Sequence, residues 1–198
     1  MTEDLLPALT VRAAEAAHTR DPACPCTTAT LAVRGDTTVV RHAVAVAKAH
    51  APDTDVAALA VRTAVAARLP GILLPPLAAT PAELHGRPVT YWPYGTPVDP
   101  DDPDAAPWEE AGGLLARLHR TPLPESVPPA RGPEKAARAV ALLRDLTPRH
   151  PAAALVLDAW ADLPPWARDE APAPGPVRLC HGDFHLGQLI RDPAPGSP

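Results

Sequence analysis

RLCHGDFHLGQLI, residues 178–190, is the densest run of reactive side chains in the sequence. His181, Asp183, His185 and Gln188 stand there with two glycines, between two short apolar runs. Residues 177–183 read as a short strand leading in, and Leu189-Ile190 leads out. The skeleton is H-G-D-x-x-x-x-Q, with Gln188 five residues after Asp183. A carboxylate can take a proton, and an amide oxygen can help hold a hard cation. Few loops need both.

One chemistry that needs both is phosphoryl transfer to a hydroxyl. A carboxylate orients or deprotonates the hydroxyl, and oxygen ligands hold Mg²⁺ against the phosphates. Kinase catalytic loops place an Asp and a metal-binding Asn at this same spacing. The amide oxygen of Gln can replace that of Asn, at the cost of one more methylene to position. The reaction also needs a cation on the nucleotide phosphates, commonly a lysine on a strand. The run AVAVAK supplies Lys48 in a β-like segment, the only lysine of that strand region.

Composition narrows the alternatives. The net charge of −5 disfavours a nucleic-acid binder, which normally carries a basic patch. No apolar run approaches the roughly 20 residues of a membrane span. The acidic start MTEDLLPALTVRAAEAAH is unlike a signal peptide. A cytoplasmic protein is therefore expected. Neither G-x-S-x-G nor H-E-x-x-H is present, which argues against the corresponding hydrolases. Cys24-Pro25-Cys26 resembles half a metal site. No second Cys/His pair with zinc-type spacing accompanies it, so Cys24, Cys26 and Cys180 read as ordinary thiols.

The 29 prolines fall mainly between periodic apolar segments, as loop markers and helix stops. A first helix is expected over Leu5 to His18. A Thr- and Val-rich meander of two or three antiparallel strands comes next, turning at Gly35-Asp36 and near His42-Ala43. A helix over residues 56–69 takes its cap from Asp53, Thr54 or Asp55 and stops at Pro70-Gly71. Residues 71–79 and 86–95 read as short strands around a turn at His85-Gly86. The acidic, proline-rich stretch 95–107 is a linker or loop. Its acidic run from Asp99 to Asp104 reads as solvated rather than as a lure for a cationic acceptor. Helices are then expected from Trp108 to Arg120, with Ala111, Leu114, Leu115 and Leu118 on one face, at Glu134 to Leu146, and at Ala152 to Leu163. The order is α+β: a β-rich lobe (residues 1–90), a connector (91–104) and a partial helical lobe carrying the catalytic loop (105–198).

These residues together resemble the aminoglycoside phosphotransferase family, small-molecule kinases with a protein-kinase-like two-lobed fold. The resemblance rests on CHGDFHLGQL, on VVRHAVAVAKAHAP, on VTYWPYG and on EEAGGLLARLHRTPLP, and covers about residues 25–192. It implies ATP and Mg²⁺ as cofactors and a small-molecule hydroxyl as acceptor. Asp183 would be the catalytic base, with His181 supporting its loop through hydrogen bonds. Gln188 would be the Mg²⁺ ligand and Lys48 the phosphate contact, and the backbone around Trp92 to Tyr94 would meet adenine. His185 is expected to shape the loop. The sequence departs from the family in three ways. The helix glutamate that usually pairs with the lysine has only Thr63 near its place and Asp55 upstream. Gln stands where Asn is more usual. A second metal-binding Asp after the loop is lacking, since Asp192 follows Gln188 too closely. A truncated kinase with exposed apolar helix faces is the expectation, and a non-catalytic nucleotide-binding relative is the alternative.

Overall fold

The computed structural model describes residues 4–99, 101, 102, 104, 106–128, 132–146, 150 and 152–191. The chain forms two compact units. One comprises Met1–Arg117, Pro124–Pro128 and Phe184–Pro198; the other comprises Leu118–Leu123 and Pro129–Asp183.

The first unit is built on a five-stranded antiparallel sheet. Its strands are β1 (Thr28–Arg34), β2 (Thr37–His42), β3 (Ala45–Ala49), β4 (Ala82–Leu84) and β5 (Arg87–Pro93), in the spatial order β1-β2-β3-β5-β4. Tight turns set the register. Gly35 turns β1 into β2 with φ +52°, and His85-Gly86 turns β4 into β5 with φ of +51° and +73°. Positive φ at both central residues matches the right-handed twist of a hairpin. Ala43, at φ +45°, makes the β2–β3 turn without a glycine, and its N–H donates to Thr27 O at 2.7 Å.

Helix α1 (Leu5–Arg20) lies on one face of this sheet. Leu5, Leu9 and Ala13 pack with Val40, Ala47, Ala49 and Val89 into the main core. Pro7 falls in the first turn, where its missing N–H has no intrahelical partner to lose. Helix α2 (Val56–Arg68) is capped by Asp55, whose carboxylate accepts from Ala58 N–H at 2.9 Å. Of the three capping candidates, Asp55 is the one used.

Two strand expectations are corrected. Residues 71–79 form no strand; they make a single bridge between Pro70 and Leu73. Pro75 and Pro76 remove two adjacent ladder donors there, so β5 pairs with Ala82–Leu84 instead. Residues 177–183 are likewise not a strand. The extended segment comes a few residues later, where β7 (Ile190–Arg191) pairs with β6 (Thr96–Pro97).

Helix α3 (Trp108–Arg120) has Ala111 and Leu118 buried, with Leu114 and Leu115 half-buried beside them. Ala111 and Leu114 join Val98, Ala106, Leu189, Phe184 and Leu186 in a second apolar cluster of the first unit.

The second unit packs α4 (Gly132–Leu146) against α5 (Ala152–Ala161) and the 3-10 turn Pro165–Arg168. Arg168 closes it, donating to Ala161 O at 2.9 Å and pairing with Glu170 at 2.7 Å. Leu142 on α4, Leu155 on α5, Trp166 in the 3-10 turn and Val177 beyond it are exposed. Among the described residues, no helix is long and apolar enough to cross a membrane.

Candidate active site

Strand alternation decides where Lys48 lies. Ala47 and Ala49 point into the α1 core, so Lys48 belongs to the opposite face. Across the ladder it opposes Val39 on β2 and Thr90 on β5, and Val46 opposes Trp92. Lys48 is half-buried, and among the described residues it forms no ion pair.

The two residues that the sequence offers as its partners are engaged elsewhere. Asp55 is spent on the α2 cap. Thr63 is 1% exposed, and its hydroxyl sits 2.7 Å from Ala79 O and 2.9 Å from Ala60 O. It fastens α2 to the segment before β4.

Around Lys48 the polar atoms form a relay. Trp92 Nε1–H donates to Thr90 Oγ1 at 2.9 Å, and Thr90 Oγ1 lies 2.9 Å from His50 Nε2. His50 is pushed down to about 4 by burial first, then by the nearby Lys48 and Arg62 cations. A neutral imidazole has one donor and one acceptor nitrogen; in the Nδ1–H tautomer the Thr90 O–H donates to His50 Nε2, and in the other the ring donates to Thr90 Oγ1. Lys48 and Arg62 thus give this side of the sheet a positive character that an uncharged His50 does not add to. Arg41, on the same face, holds its guanidinium 3.5 Å over the Tyr94 ring, and its Nε donates to Ala43 O at 2.9 Å. One face of Tyr94 is therefore covered by a cation. Its backbone N–H donates to Val44 O at 2.8 Å, tying the connector to the β2–β3 turn.

The loop itself explains both of its glycines. Gly182 has φ +81°, a conformation a side chain would strain, between half-buried His181 and exposed Asp183. The chain passes from one unit to the other between Asp183 and Phe184. Beyond that point Leu186–Gln188 make a 3-10 turn capped by His185, whose Nδ1 accepts from Gly187 N–H at 3.1 Å. A Cβ at Gly187 would lie 2.9 Å from His185 Cε1. His185 therefore shapes the loop, as expected. Gln188 is exposed, and its side-chain amide lies against the same ring, with Nε2 3.4 Å from His185 Nε2.

The β6–β7 ribbon anchors this turn to the connector, helped by Val98 N–H donating to Leu189 O at 3.0 Å. Gly95 permits it: a Cβ there would stand 2.5 Å from Ile190 Cδ1 and 2.7 Å from Arg191 O. Sequence reasoning misses this ribbon, and only the unexplained glycine before Thr96 hints at it. Asp192 lies outside the described residues.

A five-stranded antiparallel sheet with a strand lysine, followed by helices and an H-G-D loop, defines a kinase-like class of protein. The model of the phosphotransferase enzyme family (APH) matches residues 30–197, and the chain belongs to that family. No curated relative matches the chain.

Proposed function

We propose that this protein transfers the γ-phosphate of ATP to a hydroxyl of a small molecule. The observation that carries the reading is the H-G-D-x-x-x-x-Q loop in a chain of this family, with Gly182 left-handed beside Asp183 and the Gln188 side chain exposed. Residues 1–90 would serve as the nucleotide lobe, 91–104 as the connector and 105–198 as the lobe that carries the loop.

The residues fit the cosubstrate and its metal. Lys48, without a carboxylate partner among the described residues, is available to phosphate oxygens. The connector backbone from Trp92 to Tyr94 would meet adenine. Gln188 would offer its amide oxygen to Mg²⁺. Bound Mg²⁺ would supply charge neutralisation on the phosphates. Asp183 would orient the acceptor hydroxyl and accept its proton on a carboxylate oxygen as the new O–P bond forms and ADP departs. His181 would steady the loop by hydrogen bonding. Positioning and charge carry such a reaction, and a general base contributes about 10²–10⁴-fold. A net charge of −5 favours a small or cationic acceptor over a nucleic acid.

One observation favours a second reading, a non-catalytic nucleotide-binding protein. Asp55 and Thr63 are both occupied, so neither of the two side chains nearest the place of a Lys48 partner is left to serve as one. ATP turnover and ATP binding, both measured with and without Mg²⁺, separate the two. The kinase reading expects Mg²⁺-dependent turnover that falls by about 10³-fold in Asp183→Ala, with binding retained. Binding without turnover in the unsubstituted protein selects the second reading.

A further inference from the structure

On the α1 side of the sheet, away from Lys48, four metal-ligating side chains meet. His18 comes from the last turn of α1, Cys24 and Cys26 from the loop after it, and His42 from the end of β2. Their ligand atoms all lie within 4.8 Å of one another. We propose that His18, Cys24, Cys26 and His42 form a Cys2His2 zinc site that fastens the end of α1 to the β1–β2 hairpin.

Three independent features point to a ligand here. The first is His42. It is 6% exposed, and its Nε2 is buried with no hydrogen-bond partner. Its other nitrogen, Nδ1, sits 2.7 Å from Thr28 Oγ1. A buried imidazole nitrogen is not left bare without cost. With Nδ1–H donating to Thr28, Nε2 carries the lone pair, which is the tautomer a metal requires; a fixed partner on the far nitrogen is the usual support for a metal-bound histidine.

The second feature is the backbone. Cys26 holds φ +52°, although it is neither glycine nor asparagine. This left-handed turn brings Cys26 N–H within 3.4 Å of Cys24 Sγ and sets Cys26 Sγ 3.3 Å from His18 Nε2. Strain of this kind persists where the surroundings demand it.

The third is the geometry of the donor set. Tetrahedral zinc, with Zn–S of about 2.3 Å and Zn–N of about 2.0–2.1 Å, needs donors about 3.3–3.8 Å apart. The His18–Cys26 pair already meets this, and the widest separation needs to close by about 1 Å. The two imidazoles stand edge to face, centroids 5.3 Å apart, so both can present a nitrogen to one point.

Two thiolates and two neutral imidazoles select zinc over magnesium or calcium. Two thiolates balance the ion's charge, so binding releases up to two protons, one from each thiol. A full set of four protein ligands leaves no open position, which makes the site structural rather than catalytic.

The test uses the full chain, reduced and metal-free, titrated with Co²⁺ and then with Zn²⁺ against a chromophoric chelator. One Co²⁺ per chain is expected, with an intense tetrahedral visible spectrum and a thiolate charge-transfer band, displaced by Zn²⁺. Zinc should protect two thiols from alkylation, while exposed Cys180 reacts as an internal control. His18 and Cys26 are exposed, so His18→Ala and Cys26→Ser should keep the fold by circular dichroism, yet each should weaken binding by at least about 100-fold. Zinc at a hundredfold over its Kd should raise Tm by about 5–10 °C. Absence of stoichiometric binding at micromolar metal, an octahedral cobalt spectrum, or unchanged affinity in folded Cys26→Ser would overturn the proposal.

Discussion

On one face of the five-stranded sheet, Val40, Ala47, Ala49 and Val89 are sealed beneath α1. On the other, the same strands carry Val46, Lys48, Thr90 and Trp92. The two faces are separated by one step along the chain. Because strand side chains alternate, Lys48 faces outward only because Ala47 and Ala49 face inward. The inner face has been filled with small residues, so a helix can lie close. The outer face keeps a cation without a partner among the described residues, next to a hydrogen-bonded relay. The lesson is that β3 puts its core side chains and its cation on opposite faces by register alone.

The largest effect should come from moving the charge across that register. Ala47→Lys drives an ammonium into the α1 core and should cost about 5 kcal/mol or more, from an uncompensated buried charge plus overpacking. Thermal denaturation would show it, and an unchanged Tm would break the comparison.

Leu9→Ala, on the helix that seals the inner face, should cost about 2–5 kcal/mol by urea melting. Nucleotide affinity of the folded protein should stay the same. Lys48→Met should give the reverse pattern. Its turnover should fall by about 100-fold, close to 2.7 kcal/mol, while its melting curve overlays that of the parent. A loss of stability in Lys48→Met equal to that in Leu9→Ala would erase the division of labour.

The outer face should also carry a pH signature. Well above pH 6.5, His50 is neutral in both folded and unfolded states and adds no pH dependence. Between 6.5 and about 4 the unfolded chain takes up a proton that the folded chain refuses, so stability falls as pH falls through this window. His50→Gln should flatten that part of the profile, as read by urea midpoints across the range. The smallest effect expected is from Thr63→Val, which removes the hydroxyl bond to Ala79 O and should cost about 1–2 kcal/mol with ATP turnover unchanged.

Much of the fold is legible in the sequence because its signals are local. Histidine and glycine at 85–86 mark a hairpin turn, Asp55 a cap, and Ala, Val and Thr periodicity the meander and α1. The residues that mislead are those whose state depends on distant neighbours. Residues 177–183 have strand-like composition, but a strand exists only if another edge accepts it, and none does. The β6–β7 ribbon is the opposite case: two residues a side carry no periodicity, and the pairing is set by the fold around Gly95. Cys24 and Cys26 read as ordinary thiols for want of nearby partners. His18 and His42 are distant in sequence and come together only because α1 lies across β2. At the candidate site, spacing singles out Asp183, Gln188 and Lys48. It does not show that Thr63 is already committed, because a hydrogen bond to a distant carbonyl leaves no pattern in the chain.

The ribbon also fixes an order of events. Its strands are separated by about 90 residues, and closing so long a loop costs entropy before any contact repays it. Both segments of the second unit, Leu118–Leu123 and Pro129–Asp183, fall in sequence between the two strands of the ribbon. During synthesis, the sheet and α1 can assemble as soon as β5 has emerged, but the connector must wait for Ile190 and Arg191. Until they arrive, Gly95 and Val98 have no mate, and an otherwise folded nascent chain carries an open seam. A chain released before residue 190 should show a protease-sensitive connector on a protected sheet, and the 198-residue chain should not.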